Sequence, residues 1–176
     1  MQYSDKLKNL ILFVLSSEDY RDEGIKKLNK ILYFIDFYFY RDHERLISGA
    51  QYAKADRGPI IDNYKELFGQ LVADGVLHRK DVNGPILYCP KVKPDISIFS
   101  SEEIEHVHDV LKRYGRLASA ELESISHDQQ PWVLTERNGD IIDPDLALLV
   151  DIEGNGEAEV SSPVLKDELI KLADSV

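Results

Sequence analysis

The sequence predicts a mainly α-helical fold, a compact helical domain around a central aromatic-rich helix, with a small β-hairpin that makes one portion winged-helix-like. Three observations carry this. Apolar residues recur at helical spacing in several segments, beginning with Leu7, Leu10, Ile11, Val14 and Leu15. From Ile25 to about Arg41 the chain runs without Gly or Pro, and its aromatic and aliphatic residues fall on every face, as in a helix surrounded by others. Finally, Val76 to Arg79 and Ile86 to Tyr88 flank the polar connector Lys80 to Pro85, whose Asn83-Gly84 suits a hairpin turn.

In order along the chain, Ser4 is placed to cap a first helix over residues 5–16. A polar break from Ser16 to Gly24 separates it from the aromatic helix, in which Lys26, Lys27 and Lys30 should mark the wetter end. His43 to Ile61 lacks periodicity and contains Gly49, Gly58 and Pro59, which predicts a loop or irregular segment with at most a short helical turn. Asp62 or Asn63 should cap a third helix running to Ala73, with Leu67, Phe68, Leu71 and Val72 inward, and the hairpin follows it. Pro90 and Pro94 bracket a linker, and Ser100 or Ser101 with Glu103 marks the start of a helix striped by Ile104, Val107, Val110 and Leu111. Ala118 to Ile125 should form another helix, Asn138-Gly139 a turn, and Asp143-Pro144 a short helix through Leu149. The expected division is a domain over residues 1–150 and an appendage over 151–176, an acidic tether followed by a terminal helix.

The 176 residues are 43 % hydrophobic and 9 % aromatic, which suits one packed domain and excludes a disordered polymer. One cysteine, Cys89, excludes an internal disulfide, and it is expected as a small buried hydrophobe. The start, Met1 to Lys6, lacks a secretory pattern, and the early apolar run Leu10 to Leu15 is far short of the roughly 20 residues a membrane helix needs. A cytoplasmic protein with no membrane contact is the expectation.

The net charge of −11 is unevenly distributed: residues 1–93 carry +2 and residues 94–176 carry −13. The acidic half repels phosphate backbones and attracts a basic partner surface. Helix 63–73 carries a single cation, Lys65, too few for a track of phosphate contacts, so nucleic acid is not expected as the main partner. A winged-helix-like DNA-binding regulator acting on its own operator, with Arg79 and Lys80 on the hairpin, stays as the alternative, and homo-oligomerisation stays open.

No catalytic or cofactor motif stands out, and neither a metal nor a cofactor is expected. His106 and His108 are two apart on one helix, so they face apart, and an exposed polar helix face explains them. There is no phosphate-binding Gly-rich loop and no Gly-x-Ser-x-Gly elbow. Asp36 lies amid Tyr33, Phe34, Ile35, Phe37 and Tyr38, where a carboxylate needs a partner, and Lys30, Lys54 and Arg57 are candidates. An ion pair or a surface-facing position is expected before a catalytic acid. Tyr33, Tyr52, Arg57, His127 and Trp132 are residue types that form interaction hot spots.

Three patches in order along the chain resemble one known family. Lys27-Leu28-Asn29-Lys30-Ile31-Leu32-Tyr33-Phe34 is similar to the Lys-Leu-x-Lys-Leu-x-Tyr helix of the Panacea, or SocA-like, antitoxin domain. Tyr52 and Gly58-Pro59 match that family's loop with an aromatic and a Gly-Pro pair, and His127 with Pro131-Trp132 matches its later His and Pro-Trp signature. Where relatives often carry Ala-Trp-x-x-Gly-Pro-Val, this chain has Ala53-Lys54-Ala55-Asp56-Arg57-Gly58-Pro59-Ile60. The resemblance implies a helical, non-enzymatic antitoxin that binds a cognate protein toxin encoded beside it. It either neutralises the toxin directly or acts as an adaptor delivering it to a protease. The partner-binding residues expected on this basis are Tyr33, Asp36, Tyr52, Arg57, Gly58, Pro59, His127 and Trp132.

Overall fold

Helix α2 (Ile25–His43) runs through the middle of the protein, and the remaining elements pack around it. The computed structural model describes residues 3–81 and 84–150. The appendage expected over 151–176 and the turn residue Asn83 lie outside the described residues.

Every side chain from Lys27 to Phe39 is buried, which is the physical meaning of apolar residues on all faces. The sequence expectation fails at the basic end of this helix. Only Lys26 is exposed, whereas Lys27 and Lys30 are 0 % and 2 % exposed, with Tyr20 against Lys27 and the backbone at Gly58 over the stem of Lys30.

Helix α1 (Asp5–Ser16) starts as expected, with the Ser4 hydroxyl accepting from the Leu7 amide at 3.0 Å. The segment expected to be irregular carries two short strands, β1 (Tyr52–Ala53) and β2 (Ile60–Ile61), paired antiparallel with Tyr52 opposite Ile61. A second segment widens this ribbon: Ala53 bridges Ile141, and the Ile142 amide donates to the Tyr52 carbonyl at 2.8 Å. Two-residue strands leave no detectable alternation, and the segment at Ile141 that widens their ribbon lies far away in sequence.

Helix α3 (Tyr64–Ala73) buries Leu67, Phe68 and Leu71, with Val72 half-buried. Its cap position is Asn63, held in the left-handed region at φ 54° and making no side-chain capping bond. Strands β3 (Leu77–Asp81) and β4 (Ile86–Pro90) form the expected hairpin, with Arg79 opposite Tyr88. Cys89 is exposed on this hairpin, contrary to expectation, because strand alternation turns it away from Tyr88, which packs on Phe68 at a ring separation of 4.7 Å.

Helix α4 (Ser101–Tyr114) opens with a full capping box between Ser100 and Glu103. Its His106 is half-buried rather than on an exposed face, with Nε2 bonded to the Ile35 carbonyl at 2.9 Å, while His108 is exposed. Helix α5 (Ser119–His127) is followed by a short helix unforeseen in the sequence, α6 (Gln130–Leu134), and then by a 3-10 turn over Pro144–Leu149. The core joins α1, α2, α3, α4 and α5 through residues such as Ile11, Phe34, Phe68, Leu111 and Leu122. No described helix is long and apolar enough to cross a membrane.

Candidate partner-binding surface

The three sequence patches meet in space around the first turns of α2. The loop between β1 and β2 crosses above Lys30, and α5 and α6 close over it from the other side. Gly58 is the point of closest approach. With φ at +99° it occupies a region that favours glycine, and a β-carbon there would lie 2.6 Å from Ser126 Oγ and 3.0 Å from Lys30 Cε. The sequence therefore needs Gly at 58 both for its dihedral and for its lack of side chain, and Pro59 beside it is buried.

Beneath the loop lies Asp36, fully buried. Its Oδ1 accepts from the Ser48 amide at 2.8 Å, and its Oδ2 accepts from the Tyr52 hydroxyl at 2.7 Å and from the Ser48 hydroxyl. This corrects the expectation of an ion pair or a surface position: neither Lys30, Lys54 nor Arg57 contacts it, and neutral donors satisfy it. Burial pushes its carboxyl above the usual value of 3.8, against the opposing pull of the Ser48 and Tyr52 hydrogen bonds. Asn29 supports the same ribbon, with its Oδ1 accepting from the Ile61 amide at 2.8 Å.

The outer layer is aromatic and cationic. His127 and Trp132 stack with ring centroids 3.9 Å apart, and Trp132 Nε1 donates to the Ala55 carbonyl at 3.2 Å. Lys54 closes this group: its Nζ lies 4.2 Å from the Trp132 ring centroid and donates to the Thr135 carbonyl at 2.6 Å. Trp132 and His127 are half-buried, Arg57 is exposed, and Val133 and Leu134 are each 49 % exposed.

Of the residues expected at a binding surface, the structure thus brings all eight into one region but in two layers. Arg57, His127 and Trp132 reach the outside, while Tyr33, Asp36, Tyr52, Gly58 and Pro59 lie beneath and shape the loop. Lys54, Val133 and Leu134 stand beside the outer three, and nothing in the local sequence shows that α6 and the loop share a surface. Among the described residues no group of three or more His, Cys, Asp or Glu side chains is placed to hold a metal ion.

A mainly helical domain whose outward chemistry here is aromatic, cationic and apolar is suited to contact with another macromolecule. The description of the matching family model, antitoxin SocA-like, Panacea domain, agrees with that and covers residues 28–133. The chain belongs to this family, and the membership supports an antitoxin role in general. No curated protein and no solved structure matches the chain.

Proposed function

We propose that the protein is the antitoxin of a toxin–antitoxin pair and neutralises a cognate protein toxin, encoded beside it, by direct binding. The surface used is the outer layer just described: Arg57, Trp132 with Lys54, His127, and the apolar pair Val133 and Leu134. The observation that carries this reading is the half-buried Trp132, fixed by His127, Lys54 and Ala55 and edged by two exposed aliphatic side chains. A rigid aromatic anchor beside Arg and exposed aliphatics is the kind of surface on which binding energy concentrates. Tyr33, Asp36, Tyr52, Gly58 and Pro59 act through this surface by holding the loop in place. Neutralisation by occlusion needs no catalysis and no cofactor, and the two proteins meet in the cytoplasm. Residues 1–150 form the antitoxin domain, and 151–176 its acidic appendage, which favours encounter with a basic toxin surface.

Operator binding is the weaker reading. The helix and hairpin of a winged helix are present, but Lys65 is the one cation on α3, and Arg79 on the hairpin is paired with Asp81 at 3.1 Å.

The test is co-expression with the neighbouring gene product, scored by growth and by co-purification, using wild type and Arg57→Ala/Val133→Ser. Both positions are exposed, so the double variant should fold. Rescue and co-purification by the wild type, with loss of both in the variant, supports neutralisation through this surface. Rescue accompanied by disappearance of the toxin from the cell assigns proteolytic delivery in place of occlusion. A neighbour that is harmless alone and does not co-purify overturns the reading.

A further inference from the structure

Cations slightly outnumber carboxylates on this surface although the chain as a whole is acidic, the carboxylates being Asp56 in the loop, Asp128 beside His127 and Glu123 on α5. Four cations gather on it: Lys26 and Arg57 exposed, Lys54 over Trp132, and Lys30 beneath Gly58. Several other cations are matched within the fold, as Lys6 and Arg45 are by Glu103, Arg116 by Asp19 and Arg137 by Asp140. Among the described residues Lys30 and Arg57 have no ion pair and no hydrogen bond to their charged groups. Lys30 is also 2 % exposed, so it has lost most of its hydration without gaining a counter-charge in contact. The acidic group acting on it is Glu123 of α5, while Lys26 and Arg57 both oppose its charge. Buried polar atoms without partners are Lys27 Nζ and Tyr33 Oη on α2, His127 Nε2 of the ring stacked on Trp132, and Gln129 Oε1.

We propose that this surface receives an acidic segment of the partner protein, with a carboxylate held by Arg57 at the rim, within the field of the buried Lys30, while neighbouring apolar side chains pack on Trp132, Val133 and Leu134. The inference rests on the antitoxin reading and gives its partner a chemistry. Burial pushes the Lys30 ammonium down to about 8, partly offset by Glu123, and an incoming carboxylate supplies what desolvation removed. A carboxylate peptide fits better than a nucleic acid. Two cations without ion pairs, with exposed aliphatic side chains on the neighbouring helix, match one or two acidic side chains with aliphatic neighbours, whereas a phosphate chain needs a longer cationic track and would meet the acidic half of the protein.

Trp132 is the sole tryptophan of the chain, so its emission reports on the surface itself. The full chain is titrated with a short acetylated peptide of alternating Glu and Leu, with its Gln-for-Glu analogue, and with a single-stranded oligonucleotide. The expected result is a saturable change with the Glu peptide, about tenfold tighter than with the Gln analogue and about tenfold weaker in Arg57→Gln and Lys30→Met. Added salt should weaken it. Lys30→Met keeps the buried stem, and if its melting curve departs from wild type, Arg57→Gln decides alone. Equal response to the two peptides, undiminished response in the variants, or tighter response to the oligonucleotide overturns the inference. Growth rescue by the same variants separates the two levels. Wild-type rescue without peptide selectivity removes only the acidic segment, whereas peptide selectivity beside a harmless neighbour removes the antitoxin and leaves the acidic-segment site standing.

Discussion

The Asp36 carboxylate and the Tyr52 hydroxyl meet at 2.7 Å with both side chains closed off from solvent, and this bond ties the loop of the candidate surface to the central helix. Asp36→Ala leaves the buried Ser48 amide unpaired and opens a cavity, so a loss of about 3 kcal/mol in urea unfolding is expected. Asp36→Asn keeps an acceptor for that amide and should lose less. Because the folded carboxyl titrates above its ordinary value of 3.8, its stabilising contribution is complete below that value and is lost as pH rises through the folded one. Wild type should therefore hold its largest advantage over Asp36→Asn at acid pH, with the gap narrowing toward neutrality. A gap that widens with rising pH would show that the folded site favours the ionised form.

Gly58→Ala should destabilise the protein by about 1–3 kcal/mol, since the new side chain is strained by the positive φ and meets Ser126 Oγ. Lys30 Cε can move aside, being near the end of a flexible chain, so the cost comes mainly from backbone and Ser126. Pairing the change with Ser126→Gly removes one of the two obstacles. Partial recovery in a denaturant titration is the expected outcome, because the dihedral strain remains.

Glu103 offers a pH dependence of the opposite sign. Burial raises its carboxyl, but hydrogen bonds from Lys6, Arg45 and the Ser100 amide outweigh that and hold it below its usual 4.5. A depressed carboxyl stabilises above its unfolded value, and the contribution disappears as pH falls through the folded one. Glu103→Gln can retain the capping box but loses both ion pairs, whose cations are 38 % and 47 % exposed and so partly screened. The expected cost is about 1–2 kcal/mol at neutral pH in low salt, shrinking below about pH 4.

Lys54→Met removes the Nζ that bonds Thr135 and covers Trp132 while keeping most of the stem. A loss of about 1 kcal/mol is expected, together with a changed Trp132 emission, because the cation over the ring is gone. An unchanged emission spectrum would mean that Lys54 does not cover Trp132 in solution.

Most of the architecture was legible in the sequence. The uninterrupted apolar run of α2, the Ser100–Glu103 capping box and the hairpin of β3 and β4 are local patterns, and local patterns survive without knowledge of the fold. Three kinds of feature were not legible. The ribbon of β1, β2 and Ile141 depends on strands only two residues long and on a bridge to the distant Ile141. The burial of Lys27 and Lys30 depends on what folds over them, since a lysine stem is apolar enough to be covered from either side. For Asp36 the sequence predicts a cation partner or a surface-facing position, whereas three neutral donors from Ser48 and Tyr52 satisfy it in the interior. At the candidate surface the motif residues were legible singly. Their division into an outer and a supporting layer needed the structure.

The central claim is that partner contact runs through the loop at Lys54 to Gly58 and through α6. Amide hydrogen exchange of the chain alone and in complex with the neighbouring gene product tests it most directly. New protection over residues 54–58 and 127–134, with α3 and the hairpin unchanged, is the result predicted. Protection confined to α3 and the hairpin, with the loop and α6 exchanging as in the free protein, would contradict it.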